Sequence, residues 1–347
     1  MRVVFFMRRP WPGRNHSVEH MVDGIAESLS PDIKVGRAVS RFLSLGVAGR
    51  IYNIVEASLR QGDVNHVTGD VHFLTYLLSP RRTVLTVLDC GRIDGPPDYR
   101  KRIVKFFWFS VPVRQAKAIT VISEAVKQDL LRHVRVAPEK IHVIPVAVPS
   151  VYERIPKSFN AHCPTILQVG TNPNKNLERL FEALSGISCL LRIVGTLSDE
   201  HRALLLRWGI RYENYVSVDN AEMLRLYSEC DIVSFPSTFE GFGMPIIEGN
   251  IVGRPVVTGN ATSIPEVAGD AACMVDPFDV KAICDGFLRV ISDAPYRELL
   301  VKNGYENAKR YDQRTITALY EAVYRRVACS AQGKSWRRFL SPGSRVS

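Results

Sequence analysis

Glu240 and Glu248 flank a Gly-Phe-Gly-Met-Pro turn in the stretch FEGFGMPIIEG, residues 239–249. Carboxylates so close in sequence suit three roles: a glycosidase acid/base pair, holders of a phosphorylated ligand, or ordinary loop and helix positions. A glycosidase pair stands about 5–9.5 Å apart across an open sugar site. Here the preceding DIVSFPS reads as a strand, and Pro245 fits the first turn of a helix, where its missing N–H is no loss. The helix is expected to start near Met244, which places Glu240 in the loop at a strand's carboxyl end and Glu248 one turn into the helix. That arrangement disfavours a proton-exchanging pair.

It favours an anion site. Gly241 and Gly243 let the backbone approach a ligand closely, and the first N–H groups of a helix are unpaired donors at the positive end of its dipole. With a diphosphate there, Glu248 reaches a neutral polyol such as ribose, whose neighbouring hydroxyls can both donate to one carboxylate. Glu240 then points at whatever the far phosphate carries. A second βα turn agrees: TILQVG leads into TNPNKNLERLFEAL, where Gly170 permits a tight turn and Lys175 supplies a mobile positive charge. The plainer readings stand beside these: a solvated Glu240 and Lys175, and a Glu248 that merely suits the helix dipole.

The elements that position these residues alternate short β-rich runs with amphipathic helical stretches, the pattern of an α/β protein with parallel sheets. In the first half the strand candidates are residues 2–7, 33–39, 63–67, 83–89, 118–122 and 141–145. Between them lie helical patterns such as SVEHMVDGIAESL and SEAVKQDLLRHV, each opening with a serine suited to N-capping. Residues 146–163 break the rhythm and read as a linker. A second series follows through TILQVGT, LLRIVG, YVSV, DIVSFPS, RPVVTG and AACMVDP, and then three helical stretches at 280–292, 295–311 and 315–327. Two such halves imply two facing Rossmann-like lobes with a central cleft, ligands binding beyond the carboxyl ends of the strands. The expected domains are 1–155, 156–330, whose last helix packs back on the first lobe, and a flexible basic tail at 331–347.

Composition narrows the function. The 347 residues are 46% hydrophobic and 23% charged, ordinary for a globular protein with two cores. No signal peptide or membrane-spanning run is legible, so a cytoplasmic location is expected. The seven cysteines show no zinc-ligand spacing and read as reduced core thiols. The net charge of +10 is uneven: residues 1–155 carry 23 Lys/Arg against 14 Asp/Glu, and residues 156–347 carry 22 against 21. An anionic partner for the first half is one reading, a solvated basic face the other. No nucleic-acid-binding signature is present. Residues 99–114, YRKRIVKFFWFSVPVR, interleave five cations with the aromatic run 106–109, which suits an anionic membrane surface on the inner face or, alternatively, a core segment.

The stretch SFPSTFEGFGMPIIEGNIVGRPVVTGNATSIPEVAGDAACMVDP resembles the donor-binding region of retaining glycosyltransferases with the GT-B fold, family 4 or glycosyltransferase group 1. Their Glu–seven residues–Glu signature falls on Glu240 and Glu248, and their glycine-turn-Lys-Asn element is matched by VGTNPNKN, with its lysine at Lys175. The likeness extends more weakly into the N-terminal half through TVLD and ITVISEAVKQDLL. It implies transfer of a hexosyl unit, mannose-type as the working choice, from a UDP- or GDP-sugar to a hydroxyl acceptor, with retention and with no metal or other cofactor. The expected acceptor, bound by the N-terminal domain, is a lipid-linked or polysaccharide glycan.

By position the resemblance puts Glu240 beside the donor sugar, the N–H groups of Phe242, Gly243 and Met244 on phosphate, Glu248 on ribose and Lys175 on the diphosphate. Thr171 follows the VG where the family commonly has arginine. Leu88 stands where a histidine often precedes the aspartate, here Asp89, so His72, in TGDVHFL, or His66 is the substitute candidate beside the sugar. The glycine-rich loop after the first strand is matched only by RPWPGRNHSVEH, with Gly13 in the expected place and Arg8, Arg9, Arg14 and Asn15 near it. Loss of the family histidine keeps a second reading open, a nucleotide-sugar-binding protein of impaired activity on the same scaffold. Another sugar-nucleotide enzyme, such as an epimerase, is a third.

Overall fold

The computed structural model describes residues 1–10, 17–91, 98–149 and 151–331. The chain divides into two compact units, one made of Met1–Pro145 with Arg314–Ser347 and the other of Val146–Gln313. Gly13, Arg14, Asn15 and residues 332–347 of the basic tail lie outside the described residues.

The first unit holds a parallel sheet of six strands: β1 (Arg2–Met7), β2 (Lys34–Val39), β3 (Val64–Val67), β4 (Thr83–Val87), β5 (Ala118–Val121) and β6 (Ile141–Val143), in the order β2-β1-β3-β4-β5-β6. The inner strands β1, β3, β4 and β5 are buried almost throughout, as expected of a sheet covered on both faces. Ser123 caps the helix Glu124–His133 by accepting the Val126 N–H at 3.2 Å. The C-terminal helix Gln313–Ala331 belongs with this sheet from Arg314 onward. Its Tyr320 and Tyr324 are fully buried beside His66, and Glu321 accepts from the Ser30 N–H and hydroxyl.

The second unit repeats the plan with β7 (Thr165–Val169), β8 (Leu190–Val194), β9 (Tyr212–Tyr215), β10 (Ile232–Phe235), β11 (Val256–Gly259) and β12 (Cys273–Val275). All pairings are parallel, in the order β12-β11-β10-β7-β8-β9. Leu177, Leu180, Phe181 and Leu184 of the helix Leu177–Leu184 form one apolar face, buried in a core with Ile166, Leu191, Ile193 and Phe287. The stretch 146–163 has no helix or strand among its described residues and is tied to this unit. Arg254 Nη1 donates to the Ile155 carbonyl at 2.9 Å, and Lys157 pairs with the buried Asp231.

One strand differs from expectation. The YVSV run suggests a strand at 215–218, but β9 is Tyr212–Tyr215. Its ladder with β8 ends at the pair Val194 and Tyr215, and Ser217 takes a left-handed φ of 57° that no extended strand tolerates.

Candidate active site

In the second sheet the chain builds β8 and β9 on one side of β7, then returns to lay β10 on the other. Where strand order reverses in this way, the loops leaving the two central strands diverge and open a crevice at their carboxyl ends. Both sequence features identified above leave from that point: Gly170 to Lys175 after β7, and Pro236 to Gly243 after β10.

The two loops are stitched together. Thr238 N–H donates to the Asn174 carbonyl at 2.9 Å, and Asn174 Nδ2 donates to the Phe239 carbonyl at 2.9 Å and to Glu240 Oε1 at 3.1 Å. Asn176 is buried in the left-handed conformation, φ 62°, and its Nδ2 bridges the carbonyls of Pro236 (3.1 Å) and Pro277 (2.6 Å). An asparagine tolerates this conformation better than most residues, and its amide satisfies carbonyls that burial would otherwise orphan. The result is a fixed frame under the site.

On that frame Lys175 and Glu240 meet. Lys175 Nζ donates to Glu240 Oε1 at 2.6 Å and lies 4.5 Å from the centroid of the Phe235 ring. Both side chains are largely shielded, at 14% and 15% exposure. Gly170, φ 91°, makes room for the lysine, since a Cβ there would stand 2.8 Å from Lys175 Cε. Thr171 occupies space beside Gly195, where a Cβ would come within 2.9 Å of its side chain. Glu240 is fixed through its backbone as well. Its N–H donates to Thr262 Oγ1 at 3.0 Å, and its carbonyl accepts from Thr262 Oγ1 at 3.0 Å and Ser263 Oγ at 2.9 Å.

The turn behaves as its glycines require. Gly243 takes φ 118°, open to glycine alone without strain, and the helix Met244–Val252 begins after it with Pro245 in its first turn. Among the described residues, the N–H groups of Phe242, Gly243 and Met244 have no intramolecular acceptor. The Phe242 ring is turned inward, edge-on to Tyr311 with centroids 5.4 Å apart, so its backbone is what remains for a ligand. Further along the helix, Glu248 accepts from the Tyr227 hydroxyl at 2.5 Å, and the Tyr152 phenol faces the same carboxyl group. Burial pushes the Glu248 carboxyl up to about 7, against the pull of the two phenols and of Lys175.

The remaining candidates belong to the first unit. Asp89 follows β4, is exposed, and accepts the Gly91 N–H at 3.0 Å; Leu88 precedes it. His72 opens the short 3-10 turn His72–Leu77 after β3 and is buried, its Nδ1 2.7 Å from the Trp108 carbonyl and its ring edge-on to Phe109. His66 is a core residue. Both ring nitrogens are engaged, with Tyr324 Oη at 2.7 Å and Thr86 Oγ1 at 2.6 Å, and burial lowers its pKa to about 3.

Sequence reading did not single out Asn174, Asn176, Thr262, Ser263, Tyr152 or Tyr227. Asn174 and Asn176 flank Lys175 in the quoted NPNKN turn, where a run of turn-forming asparagines is itself a signal. The tyrosines reach Glu248 from elements 21 and 96 positions away, and no local spacing reveals such contacts.

Residues 11–150 match the family described as Glycosyltransferase Family 4, and residues 153–307 match Glycosyl transferases group 1. The O-antigen chain mannosyltransferase B of Escherichia coli is 31% identical over 264 residues, covering 68% of this chain and 68% of that protein. The serotype-specific mannosyltransferase WbdA of Escherichia coli is 26% identical over 255 residues; this covers 65% of the present chain and only 30% of WbdA. Among solved structures, sucrose-phosphate synthase of Thermosynechococcus elongatus superposes with a TM-score of 0.75 at 15% identity, over 95% of this chain and 100% of that one. HepE of Anabaena in complex with UDP and glucose gives 0.73 at 16% identity, over 92% and 98%. At such identities the structural likeness speaks for the fold alone. Together with the sequence matches, it shows that the chain belongs to the family 4, group 1 glycosyltransferases of GT-B fold, enzymes that act on nucleotide sugars.

Proposed function

We propose that the chain transfers a hexosyl unit, with mannose the first choice, from a nucleoside diphosphate sugar to a hydroxyl of a lipid-linked or polysaccharide glycan, with retention of configuration. The observation that carries this reading is the convergence of Lys175, Glu240 and the unpaired N–H groups of 242–244 at the switch point of the second sheet. The mannosyltransferase relatives support the sugar and the class of acceptor. A diphosphate seated at the helix start would draw Lys175 from Glu240 toward its own charge, leaving the carboxylate beside the donor sugar. As the sugar–phosphate bond breaks, negative charge grows on the leaving phosphate, and Lys175 with the helix N-terminus stabilises it where it forms. Front-face attack follows, in which the acceptor hydroxyl approaches on the leaving-group side and passes its proton to the departing phosphate. The lysine and the dipole supply the positive charge that a divalent ion would otherwise provide.

The first unit supplies the membrane part of the reading. On the helix Val47–Ser58, Val47, Ile51 and Val55 are exposed at four-residue spacing, and Leu59 continues the stripe. Arg50 of this helix lies 4.6 Å from the Trp108 ring centroid, which joins it to the segment carrying exposed Phe106 and Phe107 and the cations Arg100, Lys101, Arg102 and Lys105. Apolar groups among cations suit the headgroup boundary of an anionic bilayer. Among the described residues, no helix is long and apolar enough to cross a membrane.

The test is direct. Purified protein is screened by thermal shift against UDP-, GDP-, dTDP- and ADP-sugars, a bound ligand raising the melting temperature. The stabilising donor is then assayed for nucleoside diphosphate release with membrane-derived glycan acceptors, with and without a chelator. Chelator-insensitive transfer with anomeric retention, abolished in Glu240→Ala and lowered about 10²–10³-fold in Lys175→Ala, is expected. Donor binding without release on any acceptor would leave the binding-protein reading instead.

A further inference from the structure

Glu248 has a backing the reaction outlined above does not use. Tyr227, on the helix Asn220–Glu229, is fully buried, and its hydroxyl donates to Glu248 Oε2 at 2.5 Å. Tyr152, from the stretch 146–163, faces the same carboxyl group and stacks edge-on against Tyr227, with ring centroids 5.5 Å apart and planes at 88°. The end of the Tyr227 helix is itself pinned. Buried Arg254 donates from Nε to the Tyr227 carbonyl at 3.1 Å and from Nη2 to the Ser228 carbonyl at 2.7 Å. A phenol held this rigidly serves as a fixed donor.

We propose that Tyr227 and Tyr152 are positioning residues for Glu248: the two phenols hold its carboxyl group in the plane and charge state that accept the vicinal 2′- and 3′-hydroxyls of the donor's ribose. An ionised carboxylate has about four acceptor sites, so two phenols leave room for two ligand hydroxyls. A partly buried carboxylate without fixed donors would take up a proton or turn toward solvent, and either response spoils a two-hydroxyl contact. The groups that face it are Tyr227, Tyr152 and Lys175, and all three favour the ionised form. Because that form is the acceptor, ribonucleotide affinity rises with pH through about 7. This inference rests on the reading of Glu248 as the ribose residue.

The experiment measures binding of UDP, GDP and their 2′-deoxy counterparts by titration calorimetry from pH 5.5 to 8.5. It uses wild-type full-length protein and the variants Tyr227→Phe, Tyr152→Phe and Glu248→Gln. Wild type is expected to prefer the ribonucleotide and to bind it more tightly as pH rises through about 7. Tyr227→Phe should weaken ribonucleotide binding about tenfold, shrink the ribo-over-deoxy preference and move the pH midpoint upward, because one group favouring ionisation is gone. Tyr152→Phe should do the same to a smaller degree, and it carries the test alone if Tyr227→Phe does not fold. If a folded phenol-to-phenyl variant keeps the wild-type midpoint and preference while Glu248→Gln loses the preference, the positioning role is overturned and the ribose reading stands. If Glu248→Gln keeps the preference, or wild type binds neither diphosphate, the ribose reading falls and the inference with it.

Discussion

At the scale of single residues, Glu240 and Glu248 share a loop–helix stretch but live in different electrostatic settings. Glu240 has a cation at 2.6 Å and an amide donor at 3.1 Å, both from the β7 loop. Glu248 sits one turn deeper, backed by phenols, and burial raises its pKa from 4.5 to about 7. The raised value means the folded chain holds this proton more tightly than the unfolded chain. The unfolded state therefore gives up its proton first as pH rises, and the fold loses stability between pH 4.5 and about 7. Glu248→Gln has no charge to bury, so the ligand-free variant should unfold at a higher urea midpoint than wild type at pH 8, by on the order of 2 kcal/mol, and show little advantage at pH 4.5. A variant that gains stability where it loses ribonucleotide preference would mark a position kept for binding at the expense of the fold.

At the scale of elements, the C-terminal helix Gln313–Ala331 illustrates how a buried polar network holds one piece to another. His66 in β3 accepts or donates to Tyr324 and Thr86, and Thr86 reaches Thr120 in β5 at 2.6 Å, so three strands' worth of polar groups are satisfied under one helix. The exposed side adds Arg325 on Asp32, with Nη1 and Nη2 each donating to a carboxylate oxygen at 2.9 Å. The neutral imidazole is the buried form, its pKa lowered to about 3, whereas the unfolded chain protonates near 6.5. The contribution of His66 is whole above pH 6.5 and is lost as pH falls toward 3, by at most about 1.4 kcal/mol per unit. Between pH 4.5 and 6.5 this slope opposes that of Glu248, so the decline of the urea midpoint below pH 6.5 should be read in Glu248→Gln. A nitrogen-15 spectrum at pH 5 should still show His66 neutral; a protonated ring at pH 5 would contradict the network. Most elements were legible in sequence because inner parallel strands are continuous apolar runs and capped helices announce their first turn, as β1 and Ser123 do. The shift of β9 was not, because strand ends follow the neighbour's length rather than local propensity. That the Lys175 and Glu240 turns share one sheet edge was legible, whereas the ion pair between the two side chains was not. The Tyr227–Glu248 contact was not, since it depends on how two helices pack.

At the scale of the whole molecule, charge is distributed unevenly along the chain, and most of the excess of Lys/Arg falls in residues 1–155. Local ion pairs such as Arg60–Glu56 and Arg132–Asp129 use some of it, yet the stretch 99–105 carries four cations and no acidic residue of its own. Phe106 and Phe107 continue that stretch at 48% and 47% exposure, while Phe109 is buried and Trp108 is anchored by its Nε1 to the Asp70 carbonyl. Half of the aromatic run is therefore core and half is presented to the outside. Its backbone is a π-helical segment, Lys105–Ser110, a geometry that widens the turn and rotates successive side chains by less than an α-helix's roughly 100° per residue. Under the proposed function, docking on an anionic bilayer would bring the enzyme to a lipid-linked acceptor. Four cations near the surface contribute about 1 kcal/mol each at low salt, and screening removes most of that within a Debye length of about 10 Å at 0.1 M. The protein should co-sediment with phosphatidylglycerol-containing vesicles, should fail to do so with phosphatidylcholine alone, and should be released by 0.5 M salt only in part, because the apolar contact is insensitive to screening. Arg100→Glu with Lys101→Glu should abolish the salt-sensitive part, and Phe106→Ser with Ile51→Ser the salt-resistant part, with donor binding to the second unit unchanged in both. Equal sedimentation of all variants, or none of wild type at low salt, would leave the basic half a solvated face.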